Sequence, residues 1–373
     1  MRILHVVKAV YPIFTIGGAS FVAYQISKGL AKRHEVSIFT TNMSNNRRFV
    51  RVDRLPIYFD GVEFWLFKNI RLGPSSNFYF APEFLKTVKN MIKYYDVVHL
   101  HEFRHYMSII TYYYAKKYDI PLILQAHGQL PRFLGKGLLK TFFDIIVGYK
   151  ILKNAAKVIA LNDTERIYYK QMGVAEDKIE VLPNGLDLSK YKELPPKGAF
   201  KRILNIRDGE KIILYLGRLH RTKKIDLLVE AFYYIVRRLR GNDENLLLVI
   251  AGPDDGVLSE LESLVQKLGI SDRVLFTGYL DEKTKLKALV DADVFVTPSF
   301  YGFPMTFLES CLTGTPIVTT TLGDYLNWIH NNVGFVSSPT ARSLANAIYK
   351  LLSDDELRDR FSKKCRELIE KEF

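Results

Sequence analysis

The segment SFYGFPMTFLESCLTGTPIVTT (299–320) carries the densest set of side chains able to do chemistry. It reads as the end of a strand, a Gly-Phe-Pro turn at 302–304, a helix over 304–313 and, past Gly314, the next strand. Pro304 suits a first helical turn, where its missing N–H is not needed. The free backbone N–H groups of residues Met305, Thr306 and Phe307 then join the helix dipole in an anion site suited to a diphosphate. Glu309 lies about one and a half turns in. Its carboxylate can accept hydrogen bonds from a vicinal diol such as ribose offers. The plain alternative is a strand–helix crossover with Glu309 on a solvent face.

A second segment, LGRLHRTKKIDLL (216–228), also follows an apolar run. Arg218 and Lys223 emerge where that run ends. A guanidinium fork and an ammonium point charge make a clamp for a leaving diphosphate. They stabilise developing negative charge with no metal ion. The alternative is a solvated basic loop, but two anion-suited loops on consecutive crossovers reinforce each other. In IGGASF (16–21), Gly17 and Gly18 let backbone approach a ligand ahead of a helix, although G-x-G-x-x-G is absent. His127 follows the strand-like PLILQ and precedes Gly128. It is either a structural histidine or a partner for a sugar hydroxyl. His99, His101 and His105 invite a zinc reading, but no cysteine or carboxylate cluster completes a ligand set. No metal is expected.

Composition sets the frame. The chain has 373 residues, 48% of them hydrophobic and 25% charged, the profile of an ordinary globular protein. Its net charge of +13 is lopsided. Residues 1–194 hold 28 basic and 16 acidic side chains, whereas residues 195–373 hold 25 and 24. A basic first half suggests an anionic lipid surface or a phosphate-bearing substrate. A lysine-rich surface without a partner is the other reading. Basic and aromatic residues mingle in NNRRFVRVDR (45–54) and in LPRFLGKGLLKTFFDIIVGYKILK (130–153). The latter reads as a helix with one apolar face, either packed on the domain or laid on a membrane. No nucleic-acid module is recognisable, so no nucleic-acid partner is expected. Cys311 and Cys365 form neither a disulfide framework nor a CxxC motif. With no long apolar run and no leader-like start, a cytoplasmic address is expected, with peripheral attachment to a membrane as an option.

Apolar strands alternate with amphipathic helices throughout. Strands are predicted near 2–7, 35–40, 62–67, 97–101, 121–125, 157–161 and 178–182, then near 212–216, 245–251, 273–277, 293–297 and 316–320. Helices fall between them; one over 226–239 is capped by Asp226 and striped by Leu228, Phe232, Ile235 and Leu239. Runs such as IILYL and LLLVIA are apolar enough for burial on both faces, which means parallel sheets. The fold class is therefore α/β, with two doubly wound, Rossmann-like domains over 1–192 and 193–373. The linker is YKELPPKG (191–198), and a ligand is expected in a cleft between the domains.

Together these segments resemble the retaining glycosyltransferases of family 4, the group 1 glycosyl transferases with the two-domain GT-B fold. The likeness runs through Gly17–Gly18, DVVHLH (96–101), His127–Gly128, KVIALNDTE (157–165) and VLPNGLD (181–187). It is most specific at GRLHRTKK (217–224), AGP (251–253) and GFPMTFLESCLTGTPIV (302–318). The resemblance implies that Arg218 and Lys223 hold the donor diphosphate and that Glu309 holds the ribose hydroxyls. It further implies that Tyr301 and Gly302 belong to the donor-binding set, that the backbone of 305–307 binds phosphate, that Gly17 and Gly18 approach it from the first domain, and that Leu280 cradles the base. His127 would touch the transferred sugar. The implied reaction moves a hexose from a UDP- or GDP-sugar to a glycan or lipid-linked acceptor, with retention and without a cofactor.

The chain departs from the family pattern in three places. Tyr301 stands where the family carries a Glu eight residues before Glu309. Lys224 replaces the Gly after the clamp lysine. The chain stops at LIEKEF (368–373), short of the helix that in the family crosses back to the first domain, as a truncated chain would. Tyr301 keeps open a nucleotide-sugar-binding protein weakened in catalysis. A sugar epimerase of the same fold is a further alternative.

Overall fold

The computed structural model describes residues 1–9, 18–42, 55–71, 79–132, 137–239 and 245–373. Gly17 and the basic segment 45–54 lie outside them. The chain divides into two compact units, Met1–Asn184 and Gly185–Phe373.

In chain order the first unit comprises β1 (Arg2–Val6), α1 (Gly18–Ala31), β2 (Glu35–Thr41), β3 (Ile57–Phe59), β4 (Val62–Phe67), β5 (Ile70–Arg71), β6 (Tyr79–Phe80), α2 (Pro82–Met91) and β7 (Val97–His101). It continues through α3 (Tyr106–Lys117), β8 (Leu122–Gln125), α4 (Gly137–Phe143), α5 (Tyr149–Asn154), β9 (Lys157–Ala160), α6 (Asp163–Gln171) and β10 (Ile179–Val181). Its main sheet runs β10-β9-β8-β7-β1-β2-β4-β3 and is parallel except for β3. The order reverses between β1 and β7. Alternation sends Leu4, Val6, Val98 and Leu100 to one packed face and Ile3, Val7, Val36 and Ile38 to the other.

The second unit comprises α7 (Ala199–Ile203), β11 (Lys211–Leu216), α8 (Ile225–Leu239), β12 (Leu246–Ala251), α9 (Leu258–Leu268), β13 (Val274–Gly278) and α10 (Glu282–Asp291). Then come β14 (Val294–Phe300), α11 (Met305–Thr313), β15 (Ile317–Gly323), β16 (Gly334–Ser337), α12 (Ala341–Ser353) and α13 (Asp355–Glu372). Its sheet, β13-β12-β11-β14-β15-β16, is fully parallel, with the switch between β11 and β14. Every residue of β12 is buried, as its unbroken apolar run requires. The α8 stripe faces the core through Leu228, Phe232 and Ile235, with Leu239 packed at its margin. Asp226 sits inside the first turn of α8 rather than capping it, because the helix starts at Ile225.

The division between units falls earlier than the expected linker. Leu186 N donates to Phe373 O at 3.3 Å, which ties the residues just after Asn184 to the end of α13. The buried carboxylate of Asp291 accepts from the N–H groups of Gly198, Phe200 and Lys201 at 2.5, 2.7 and 3.0 Å. That ties the start of α7 to α10 and draws the proline-rich stretch into the second unit. Helix α13 also belongs there, burying Phe361, Cys365 and Ile369.

Residues 137–154 form one nearly continuous helix, with a π-helical stretch, Asp144–Gly148, between α4 and α5. Asp144 is fully buried and accepts from Arg104 Nε and Nη2, each at 2.9 Å, and from Arg132 Nε at 2.9 Å. Gly148 makes room for it: a Cβ there would lie 2.8 Å from Asp144 Oδ1. The opposite face is not packed on the domain. Leu138, Leu139, Phe142, Ile145 and Ile146 are all at least half exposed, up to 90% at Leu138.

Truncating a buried carboxylate leaves its arginine partner unpaired, which costs about 3–5 kcal/mol. Asp144→Ala should therefore lower the thermal midpoint of the first unit by roughly 6–20 °C in a calorimetric scan. A change below ~2 °C would mean that solvent reaches Arg104 freely.

Candidate functional site

In the second unit, the loops after β11 and β14 leave the sheet at its switch point, where parallel α/β sheets form binding crevices. The loop after β11 is laced to the loop after β12. Leu219 N donates to Pro253 O at 2.9 Å, and Asp255 N donates to Leu219 O at 3.0 Å. Gly252 (φ 147°) is what lets these strand ends meet, since a Cβ there would lie 1.8 Å from the Gly217 carbonyl oxygen. On this support Arg218 projects with its side chain 60% exposed and pairs with Asp255 at 2.5 Å. Lys223 ends a one-turn 3-10 helix, Arg221–Lys223. Burial pushes its ammonium down to about 8; Arg218 adds repulsion, and Asp324 pulls the other way.

The loop after β14 carries the helix-start site, with a difference from expectation. Pro304 is the N-cap (φ −67°, ψ 124°), so the helix opens at Met305. The N–H of Phe307 donates to Pro304 O at 3.1 Å, and its ring packs in the core against Phe295 and Phe300. Phe307 therefore offers no free donor; Met305 and Thr306 supply the open N–H groups. Gly302 is also committed. Held at φ +77°, it donates its N–H to Asp324 Oδ2 at 2.7 Å. It shapes the turn and has no N–H to spare for phosphate. Tyr301 is half-buried, and burial raises its hydroxyl above the ordinary tyrosine range.

Glu309 is 2% exposed, which excludes a solvent face. Its Oε1 accepts from Lys285 Nζ at 2.5 Å, while Oε2 is buried with no hydrogen-bond partner among the described residues. Burial raises its carboxyl above the usual range against the opposing pull of Lys285. An acceptor so held needs a donor from outside the described residues. Leu280 is half-buried between β13 and α10, one residue before Asp281, which caps α10.

The first unit holds His127 and Gly18. Gly18 opens α1 with nothing within 4 Å of where a Cβ would stand. His127 follows β8 in the left-handed region (φ 54°), and Glu102 does the same after the neighbouring β7 (φ 63°). Two non-glycine residues held so at adjacent strand ends mark a site where geometry outweighs strain. Glu165 of α6 braces the turn. Its buried carboxylate accepts from Gly128 N at 2.7 Å and Leu161 N at 2.8 Å. Burial drives the His127 ring down to about 3. Its Nε2 lies 2.9 Å from His101 Nδ1. Among the described residues, His5, His99 and His101 bring their ligand-capable atoms within 4.8 Å of one another; His105 is not in that group.

The family-4 glycosyltransferase model matches residues 16–190, and the group 1 glycosyl transferase model matches residues 196–368. Between them they span nearly the whole chain. The chain belongs to this glycosyltransferase family. An uncharacterised glycosyltransferase of Methanocaldococcus jannaschii is 27% identical over 92% of this chain and 87% of its own length. The D-inositol 3-phosphate glycosyltransferase of Nocardia farcinica is 26% identical over 92% of this chain and 78% of its own. The crystal structure of Anabaena HepE with UDP and glucose superposes with a TM-score of 0.79 at 18% identity, covering 100% of this chain and 95% of that one. The fold is GT-B.

Three residues of this glycosyltransferase's site were not legible beforehand. Lys285 and Glu165 act across elements distant in sequence, and His5 joins the histidine cluster only through strand pairing. The departure at Lys224 does carry a local signature: the residue sits at φ 54°, ψ 44°, where the family has Gly. A left-handed non-glycine residue costs about 1–2 kcal/mol, partly offset by glycine's unfolded-chain entropy. Lys224→Gly should thus stabilise the second unit by up to about 1 kcal/mol in urea unfolding. Destabilisation would show that the lysine side chain contributes more than its backbone strain removes.

Proposed function

We propose that this glycosyltransferase moves a hexose from a nucleoside diphosphate sugar to a phosphate-bearing or lipid-linked glycan acceptor, with retention of anomeric configuration. The observation that carries the donor reading is the combination around one switch point: two cationic side chains, an open helix start, and a buried glutamate with one unsatisfied oxygen. Arg218 and Lys223 hold the diphosphate, helped by the N–H groups of Met305 and Thr306. Glu309 Oε2 accepts from a ribose hydroxyl while Lys285 fixes its other oxygen. Leu280 lies against the base, and His127 meets the transferred sugar.

As the bond from sugar to diphosphate loosens toward an oxocarbenium-like state, negative charge builds on the departing phosphate. Arg218 and Lys223 stabilise it there, so neither a metal nor another cofactor is needed. The acceptor hydroxyl attacks from the same face, and the departing phosphate oxygen takes its proton. This route uses no pair of carboxylates like that of retaining hydrolases. A chelator should accordingly leave the rate unchanged.

UDP is the first nucleotide to test, because HepE was crystallised with it. The phosphate-bearing acceptor rests on the basic first half of the chain, and a relative is named for an inositol phosphate acceptor. Attachment to an anionic membrane is supported by the exposed apolar face of residues 138–146, flanked by Lys140, Lys150 and Lys153. No helix among the described residues is long and apolar enough to cross a membrane. A second reading, a nucleotide-sugar-binding protein that has lost turnover, is favoured only by Tyr301.

The test begins with thermal unfolding in the presence of UDP, GDP or ADP. The cognate nucleotide at about 100 times its Kd should add roughly 2.7 kcal/mol, and Arg218→Ala or Lys223→Ala should abolish the gain. No shift with any nucleotide would defeat the donor reading. Affinity should also depend on pH. Below pH 8 the clamp carries both charges; above it the free protein loses the Lys223 proton, which a bound diphosphate would restore. Nucleotide affinity should therefore fall by about tenfold per pH unit above pH 8 and stay flat in Lys223→Arg. For the second reading, a large gain of sugar transfer in Tyr301→Glu would support decay, and a loss would show a tyrosine adapted to its own donor.

A further inference from the structure

Four imidazoles climb one face of the first unit's sheet across its switch point. His5 of β1 and His99 of β7 are register partners, and His101 follows two residues on. His127 stands two residues past Gln125, the register partner of His101. The rings lie close: His99 and His101 are 4.1 Å apart between centroids, and His101 and His127 stack at 5.2 Å with 21° between planes. His5 Nδ1 is 2.9 Å from His101 Nε2, and His101 Nδ1 is 2.9 Å from His127 Nε2.

A neutral imidazole has one N–H and one lone pair. His101 uses both nitrogens, so it donates through one and accepts through the other. The two hydrogen bonds must then run the same way along the chain of rings. If they run inward, from His127 toward His5, the proton of His5 sits on Nε2. That nitrogen is buried with no partner among the described residues. Orphaned buried N–H groups are the rarer defect in folded proteins. If the bonds run outward, His5 donates from Nδ1, His101 donates from Nδ1, and His127 accepts at Nε2. The proton of His127 is then confined to Nδ1. Burial keeps the rings neutral, which preserves the alternation.

We propose that His101, backed by His5, is a positioning residue that fixes His127 as an Nδ1–H donor, so that His127 offers the transferred sugar a proton to an oxygen and cannot act as a base through that nitrogen. Metal binding by His5, His99 and His101 is the competing use of the same rings. It would take one of the His101 nitrogens away from its hydrogen bond.

The tautomer can be read directly from long-range 1H–15N spectra of the full-length protein labelled at histidine. At pH 7, His127 should show a protonated Nδ1 and a bare Nε2. His101→Leu should release it to the Nε2–H form that free imidazole prefers. His101→Asn, whose amide can donate near the Nδ1 position, should restore Nδ1–H. A wild-type His127 protonated at Nε2 would overturn the proposal even if the variants fail to fold. So would stoichiometric capture of the His5, His99 and His101 signals by added zinc. The contact between His127 and sugar rests on the proposed function, and its failure is separable. A confirmed Nδ1–H with unchanged donor KM and kcat in His101→Leu would leave the relay standing and remove His127 from the sugar.

Discussion

A parallel sheet sends the carboxyl end of every strand to the same edge, and each helix that follows must open its N-terminus there. The site described here depends on that constraint. In the second unit it brings the ends of β11 and β14 side by side at the switch, so Arg218, Lys223, Tyr301 and the start of α11 converge although about 80 residues of sequence separate them. In the first unit it raises His101 and His127 to the same edge. Neither arrangement requires a special interaction to create it. Once strand order is set, position follows.

Buried charge is what holds these edges in shape. Asp291, Glu165 and Asp144 are nearly or fully buried, and each satisfies backbone N–H groups or arginines. A carboxylate with these partners is stiff, because losing any one leaves a charge in low dielectric. Glu309 stands apart from that set. Lys285 fills one oxygen and nothing within the described residues fills the other.

Of seven described non-glycine residues in left-handed backbone, three, His127, Glu102 and Lys224, lie beside the groups proposed to meet substrate. In the first unit the histidine chain adds a constraint of another kind: neutral rings in series have only two proton arrangements, so the choice made at a buried end is expressed at the surface end.

The sequence by itself determined a good deal. Alternating strands and helices, two α/β units and the family motifs were all readable, because buried parallel strands need continuous apolar runs and helices need a stripe at their own period. Short or edge elements such as β3, β5, β6 and β16 carried too little pattern to be seen. Only the tertiary structure decided that Phe307 and Gly302 have no N–H to spare, that Lys285 completes Glu309, and that the helix over 137–154 turns its apolar residues outward. The physical reason is the same each time. Hydrophobic period is local and written along the chain, whereas the partner of a polar atom is chosen by whichever strand or helix lies beside it in space, and that depends on strand order and register.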